Sequence, residues 1–182
     1  MLELTVQTTQ DIQSRSISMN TMKVIDEFLP RDYFEHLKNC VFSTQFPWIF
    51  CNEVANLGEM NDDHFFFTHR LYDRFEPQSS FMNEIDDLIV KHLNIKSLIR
   101  ARVNLYPNIG KFIEHDLHED YKYPHNTAVL YFNTCDGYTG FEDGTKVESV
   151  ENRVVLFDGS TPHRSTTCTD QKVRIVLSVS YF

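Results

Sequence analysis

The chain has 182 residues, 41% of them hydrophobic, with 15 Phe and 8 Tyr, and a formal net charge of −9 at pH 7. This length suits one folded unit, a single domain over 1–182 burying roughly 70% of its unfolded surface, and the aromatic-rich composition excludes the disordered class. The acidic balance argues against nucleic acid as a partner, because a broad grip on phosphates needs clustered Lys and Arg; Arg100 and Arg102 form only a local basic strip.

Residues 1–20 are polar and rich in Thr, Gln and Ser. They contain no apolar stretch of the kind a signal peptide or membrane span requires, so a cytoplasmic protein with no membrane partner is expected. Cys40, Cys51, Cys135 and Cys168 are widely spaced with no Cys-x-x-Cys pair, which predicts free thiols rather than a zinc ribbon or disulfide framework. Residues 22–29 alternate weakly and predict a strand ended by Pro30; a helix over 31–41 follows, with Tyr33, Phe34, Leu37 and Val41 at helical spacing. Aromatic-rich strands are expected over 46–50 and 64–72, around a polar loop at 52–63, and Phe65, Phe66 and Phe67 read as core packing. Over 82–93, Met82, Ile85, Leu88, Ile89, His92 and Leu93 follow the three-four pattern of an amphipathic helix that would cover one face of a sheet.

From Leu98 onward the pattern changes to short runs of period two broken by Pro-Asn, Asp-Gly and Thr-Gly turns. The expected fold is α+β and mainly β: a double-stranded β-helix, the jelly roll of cupin-like proteins, over 98–182, supported by mixed strand and helix over 1–97. Over 172–182, Val173, Ile175, Leu177, Val179 and Tyr181 form one apolar face, so Arg174 and Ser178 share the other. An Arg there offers a planar fork to a carboxylate, and a hydroxyl four residues on can donate to the same group.

His118 and Asp120, two residues apart, point off one face if they lie on a strand, and closing the sheets brings them beside a strand that begins at His163. Two imidazoles and a carboxylate suit a divalent iron with open coordination positions. Plainer assignments stand beside this one. His115 and Asp116 read as solvated loop neighbours, although His115, His118 and His125 could together hold zinc. His36, His64, His69 and His92 are given no role, and Asp136-Gly137 and Asp143-Gly144 read as turn residues.

The C-terminal part of the chain resembles the catalytic core of the Fe(II)- and 2-oxoglutarate-dependent dioxygenases, in the prolyl-4-hydroxylase-like branch and especially its small phage-type members. The resemblance rests on ordered blocks: Asn104-Leu105-Tyr106-Pro107, the His118-x-Asp120 pair, Thr127-Ala128-Val129-Leu130-Tyr131-Phe132-Asn133, Gly137-Tyr138-Thr139-Gly140-Phe141, and Asn152 to Asp158 leading to His163. The interval from Tyr106 to His118 is longer than the branch's usual one. A shorter interval would select His115, but Leu117 two residues beyond it cannot ligate.

The resemblance implies that His118, Asp120 and His163 are the catalytic iron ligands, and that Arg174 holds the distal carboxylate of 2-oxoglutarate with support from Ser178, Tyr131 and Tyr106. It implies 2-oxoglutarate and O2 as cosubstrates and admits ascorbate as an auxiliary reductant. The implied reaction is hydroxylation of an unactivated C–H bond, with 2-oxoglutarate decarboxylated to succinate and CO2. A peptidyl prolyl or other protein side chain is the first substrate class and a small molecule the second, with the segments 52–63 and 121–126 flanking the mouth. Two other readings stay open: a cupin-like metalloprotein that uses no 2-oxo acid, and a non-catalytic jelly-roll binding module. Oligomeric state is not legible in the sequence.

Overall fold

The computed structural model describes residues 22–54 and 63–182, so most of the predicted 52–63 loop lies outside the described residues. In chain order the elements are β1 (Lys23–Ile25), α1 (Arg31–Phe42), β2 (Ile49–Cys51), β3 (Phe66–Asp73), β4 (Glu76–Pro77), a 3₁₀ helix (Ser80–Ile85), a π-helical turn (Leu88–His92), β5 (Leu98–Pro107), β6 (Asn126–Tyr131), β7 (Tyr138–Phe141), β8 (Lys146–Glu148), β9 (Val154–Asp158), β10 (His163–Arg164) and β11 (Val173–Tyr181). They form an eight-stranded sheet in the order β1-β9-β6-β11-β5-β3-β2, with β4 on β3, and a three-stranded sheet in the order β10-β7-β8. Every pairing is antiparallel. β11 lies inside the large sheet, bonded to β5 on one side and β6 on the other.

Strand alternation divides the large sheet into two buried faces. Ala101, Val103, Ala128, Leu130, Val154, Ile175, Leu177 and Val179 pack with Phe34, Leu37 and Val41 of α1 in one apolar cluster. The intervening residues Tyr106, Val129, Tyr131, Val155, Phe157 and Val176 meet Phe141 and Val147 of the small sheet in a second cluster. The small sheet thus closes over the inner face of the large one, and this is the expected jelly roll. On the outer face, α1 is anchored by Arg31, whose guanidinium is 2.9 Å from Glu151, and by an ion pair between Lys38 and the same carboxylate.

The helix predicted over 82–93 is not continuous. Met82, Ile85 and Leu88 are buried at intervals of three, the repeat of a 3₁₀ helix. Leu93, five residues beyond Leu88, is buried as well, and its N–H donates to the Leu88 carbonyl in a π turn. The sheet surface below therefore selects two tighter and wider turns in place of one regular α-helix. β1 is shorter than the expected 22–29 strand because its three residues form an exposed sheet edge. The chain then turns away at Leu29, whose N–H and C=O both bond the buried Asn152 side chain.

Strand alternation also corrects the reading of the aromatic run. Phe66 is buried and stacks on Tyr106, with centroids 5.7 Å apart. Its neighbours Phe65 and Phe67 instead meet Phe50, which is 57% exposed. Only the middle ring of the three belongs to the core.

Candidate metal and anion site

Between β5 and β6 the chain runs beside β10, making isolated antiparallel bridges at Glu114–Thr166 and His118–His163. His118 and His163 exchange two backbone hydrogen bonds of 2.9 Å, and the Asp120 N–H donates to the Gly159 carbonyl at 3.0 Å. The expectation of a regular strand under His118 and Asp120 is corrected here. Their partners are the two ends of the turn from Gly159 to His163, and a turn cannot supply a continuous ladder. The pair is still brought against His163, with Glu119 between them exposed.

The donor atoms of His118, Asp120 and His163 all lie within 4.8 Å of one another. His163 Nδ1 sits 2.8 Å from the Thr161 carbonyl and His118 Nδ1 3.4 Å from that of Asp116. A carbonyl only accepts, so each Nδ1 carries the proton and each Nε2 keeps a lone pair for a metal. Burial lowers the pKa of both rings, His118 to about 4 with a further push from His163. Burial alone would raise Asp120, but Arg100, His163, Arg102 and His118 hold it well below the usual carboxylate range. Arg100 Nη2 donates to Asp120 Oδ1 at 2.6 Å, while Thr127 and Ser180 donate to Oδ2 at 3.1 and 3.3 Å. Near neutral pH the set is two neutral imidazoles and one ionised carboxylate, which fits a divalent cation such as Fe(II).

A cleft of about 380 Å³ opens from these three side chains onto the inner face of the large sheet, where Arg102, Tyr106, Arg174 and Ser178 line it. Arg174 is 1% exposed. Its guanidinium donates to the Thr166 carbonyl at 3.4 Å and to Thr139 Oγ1 at 3.3 Å, and its Nε has no partner. The rings of Tyr106 and Tyr131 lie 5.4 and 5.5 Å from its central carbon. Among the described residues no carboxylate reaches ion-pair distance of it. A buried cation so poorly matched costs stability unless an anion enters. Gly137 is more than a turn residue: a Cβ there would sit 2.6 Å from Arg174 Cδ and 2.6 Å from the Thr167 carbonyl.

Tyr106 and Ser178 face the cleft. Tyr131 lies beneath Arg174, where its hydroxyl donates to Thr139 Oγ1 at 2.8 Å, and it is absent from the cleft lining. His115 is not solvated as expected. It is fully buried, its Nδ1 is 2.9 Å from Ser165 Oγ, and burial lowers its pKa to about 3. His115 and His125 belong to no ligand cluster among the described residues, so the zinc alternative finds no support. Two other groups come close enough to share an ion, His36 with Cys40 and Glu84, and Cys135 with Cys168 and Asp170; neither adjoins the cleft. A separate cavity of about 270 Å³ under α1 is lined mainly by apolar side chains.

Sequence reasoning missed Thr139 and the inward placement of Arg102. The signal for Arg102 was present: Arg100, Arg102, Asn104 and Tyr106 alternate with Ala101, Val103 and Leu105, the same period used to place Arg174. Burial and the neighbouring Arg100 pull Arg102 below its ordinary range, although an arginine remains charged.

No family profile and no curated protein matches the chain. Solved structures do. A Pseudomonas putida prolyl-4-hydroxylase aligns at 18% identity with a TM-score of 0.59, covering 88% of this chain and 91% of that one. A Trichoplax adhaerens prolyl hydroxylase in complex with a hypoxia inducible factor peptide aligns at 16% and 0.59, covering 88% and 83%. A 2OG-Fe(II) oxygenase family oxidoreductase from Burkholderia pseudomallei aligns at 11% and 0.63, covering 88% and 84%. The chain shares the fold of these proteins.

Proposed function

We propose that this protein is an Fe(II)- and 2-oxoglutarate-dependent oxygenase that hydroxylates an unactivated C–H bond. The observation that carries the proposal is the pairing, in one cleft, of a two-histidine, one-carboxylate donor set with a buried guanidinium that has no carboxylate partner among the described residues. His118, Asp120 and His163 would hold the iron. When bound, the iron supplies the redox chemistry that couples O2 reduction and oxidative decarboxylation of 2-oxoglutarate, giving succinate and CO2, to insertion of one oxygen atom into substrate.

The chain's own residues do the positioning. Arg100, Thr127 and Ser180 fix the Asp120 carboxylate, and the Thr161 carbonyl fixes the His163 tautomer. Arg174 grips the distal carboxylate of the 2-oxo acid with Ser178 donating beside it, Tyr106 shapes that end of the cleft, and Tyr131 with Thr139 holds the guanidinium in place. The two sheets keep the cleft partly closed to water, which strengthens these charge-assisted contacts. Two of the similar folds belong to proteins named as prolyl hydroxylases, one bound to a peptide. A peptidyl side chain is therefore the first substrate class and a small molecule the second. A cupin-like protein without a 2-oxo acid, or a binding module without turnover, has no use for Arg174 beside the triad.

Anaerobic titration of the apo-protein with Fe(II) and 2-oxoglutarate tests the reading, with His163→Ala as control. A visible charge-transfer band that needs both ligands and vanishes in the control is expected. Iron binding without that band overturns the 2-oxoglutarate chelate.

A further inference from the structure

The positive charges around the cleft are not equally matched. Arg100 is paired with Asp120, and Arg164 donates to Glu114 at 3.1 Å. Arg174 is the seat assigned to the distal carboxylate under the proposed function. Arg102 remains. It sits on β5 directly opposite Ser178 of β11, on the inner face, and lines the cleft with His118 and Asp120. Its Nε is buried without a partner, and among the described residues its guanidinium has no carboxylate within ion-pair distance and donates no hydrogen bond. The one nearby acid, Asp120, already has both oxygens engaged by Arg100, Thr127 and Ser180.

Charge balance sharpens the point. The whole chain is acidic at −9, yet among the described residues three guanidiniums line this cleft, Arg102, Arg164 and Arg174, against the one carboxylate of Asp120; Glu114 matches Arg164 and Arg100 matches Asp120, which leaves Arg102 and Arg174 in excess. A divalent cation on the triad adds to the excess, and one dianionic 2-oxo acid does not cancel it. A planar fork with unused donors in a low-dielectric cleft is matched by a carboxylate. Resting on the oxygenase reading for the use of Arg174, we infer that Arg102 anchors a second carboxylate in this cleft, besides the one on Arg174. That carboxylate comes either from the end of the 2-oxo acid nearest the metal or from the compound oxidised, which is then a small carboxylic acid or an acidic peptide segment.

Calorimetry on the Mn(II)-loaded full chain separates the two sources, with Arg102→Met, Arg102→Lys and Arg174→Met as variants. One arm measures 2-oxoglutarate affinity. The other, at saturating 2-oxoglutarate, compares L-proline, glutarate and N-acetylglutamate with their amides. If the 2-oxo acid supplies the second carboxylate, Arg102→Met weakens 2-oxoglutarate at least about tenfold. If the compound oxidised supplies it, 2-oxoglutarate affinity stays within about twofold and Arg102→Met abolishes a wild-type preference for acids over amides. In either case Arg102→Lys, which keeps the charge without the fork, retains part of the effect and shows that a substituted cleft still folds. The inference is overturned if Arg102→Met changes neither quantity, including the case in which wild type shows no acid-over-amide preference. A wild-type protein that ignores 2-oxoglutarate, or an Arg174→Met variant that binds it normally, instead overturns the oxygenase reading, and the acid-over-amide comparison, then run on the Mn(II)-loaded protein without 2-oxoglutarate, still reports on Arg102.

Discussion

Along β11, Ile175 and Leu177 on the outer face are each 1% exposed, and so is Arg174 on the inner face. The two faces are buried alike and differ in how well their atoms are satisfied. The outer residues touch apolar neighbours from α1 and both flanking strands, so their burial contributes stability. Arg174 has an unpartnered Nε and, among the described residues, no carboxylate at ion-pair distance, so its burial costs stability unless an anion enters. One strand thus carries a stabilising face and a face whose buried charge is poorly matched, and alternation keeps them from interfering.

The largest expected effect on the inner face comes from His163→Ala, which should remove iron from the purified protein and reduce succinate formation to background, with no comparable fall in the urea midpoint of the apo-protein. On the outer face, Leu177→Ala should lower unfolding free energy by about 2–5 kcal/mol and leave 2-oxoglutarate affinity within about twofold, as read by urea denaturation and calorimetry. Arg174→Met separates the faces most directly. Cosubstrate affinity should fall by about two orders of magnitude, while apo-protein stability holds or rises by about 1 kcal/mol. A loss of stability as large as that of Leu177→Ala would break the comparison. Ser178→Ala, which removes one hydroxyl from the same face, should weaken 2-oxoglutarate about three- to tenfold.

The smallest effect concerns how the outer layer is fastened. Partial burial would raise the Glu151 pKa, but Lys38 and Arg31 hold it below the ordinary 4.5. A carboxyl depressed on folding contributes stability above its unfolded value and loses it as pH falls through the folded one. Glu151→Gln should therefore cost at most about 1 kcal/mol near neutral pH, and the cost should shrink as pH falls below 4.5.

Local pattern made much of this architecture legible. The period of two over 172–182 gave β11 and both of its faces, because an uninterrupted alternation has one interpretation as a half-polar strand. The helix over 31–41 needed only Pro30 and the spacing of Phe34, Leu37 and Val41. What stayed hidden depends on partners distant in sequence. His115 looked solvated because nothing near it in the chain reveals Ser165, 50 residues away, or the Tyr106 ring 5.5 Å from it. The turns over 80–92 follow the shape of the sheet beneath them, which no local window contains. Arg102 carried a readable alternation, but its meaning required the register that sets it opposite Ser178. The grouping of His118 and Asp120 with His163 could be anticipated from residue type, whereas the bend that separates their backbone partners could not.

The place of β11 between β5 and β6 also bears on how the protein is made. β5 and β6 precede it in the chain, and in the sheet order they meet only through it. As the polypeptide leaves the ribosome, both earlier strands present open edges of the kind that pair promiscuously. The strand that seals those edges is the one that brings Arg174 to Tyr106 and Ser178 to Arg102. A nascent chain therefore brings Arg174 to its place in the cleft in the same event that ends its exposure to mispairing.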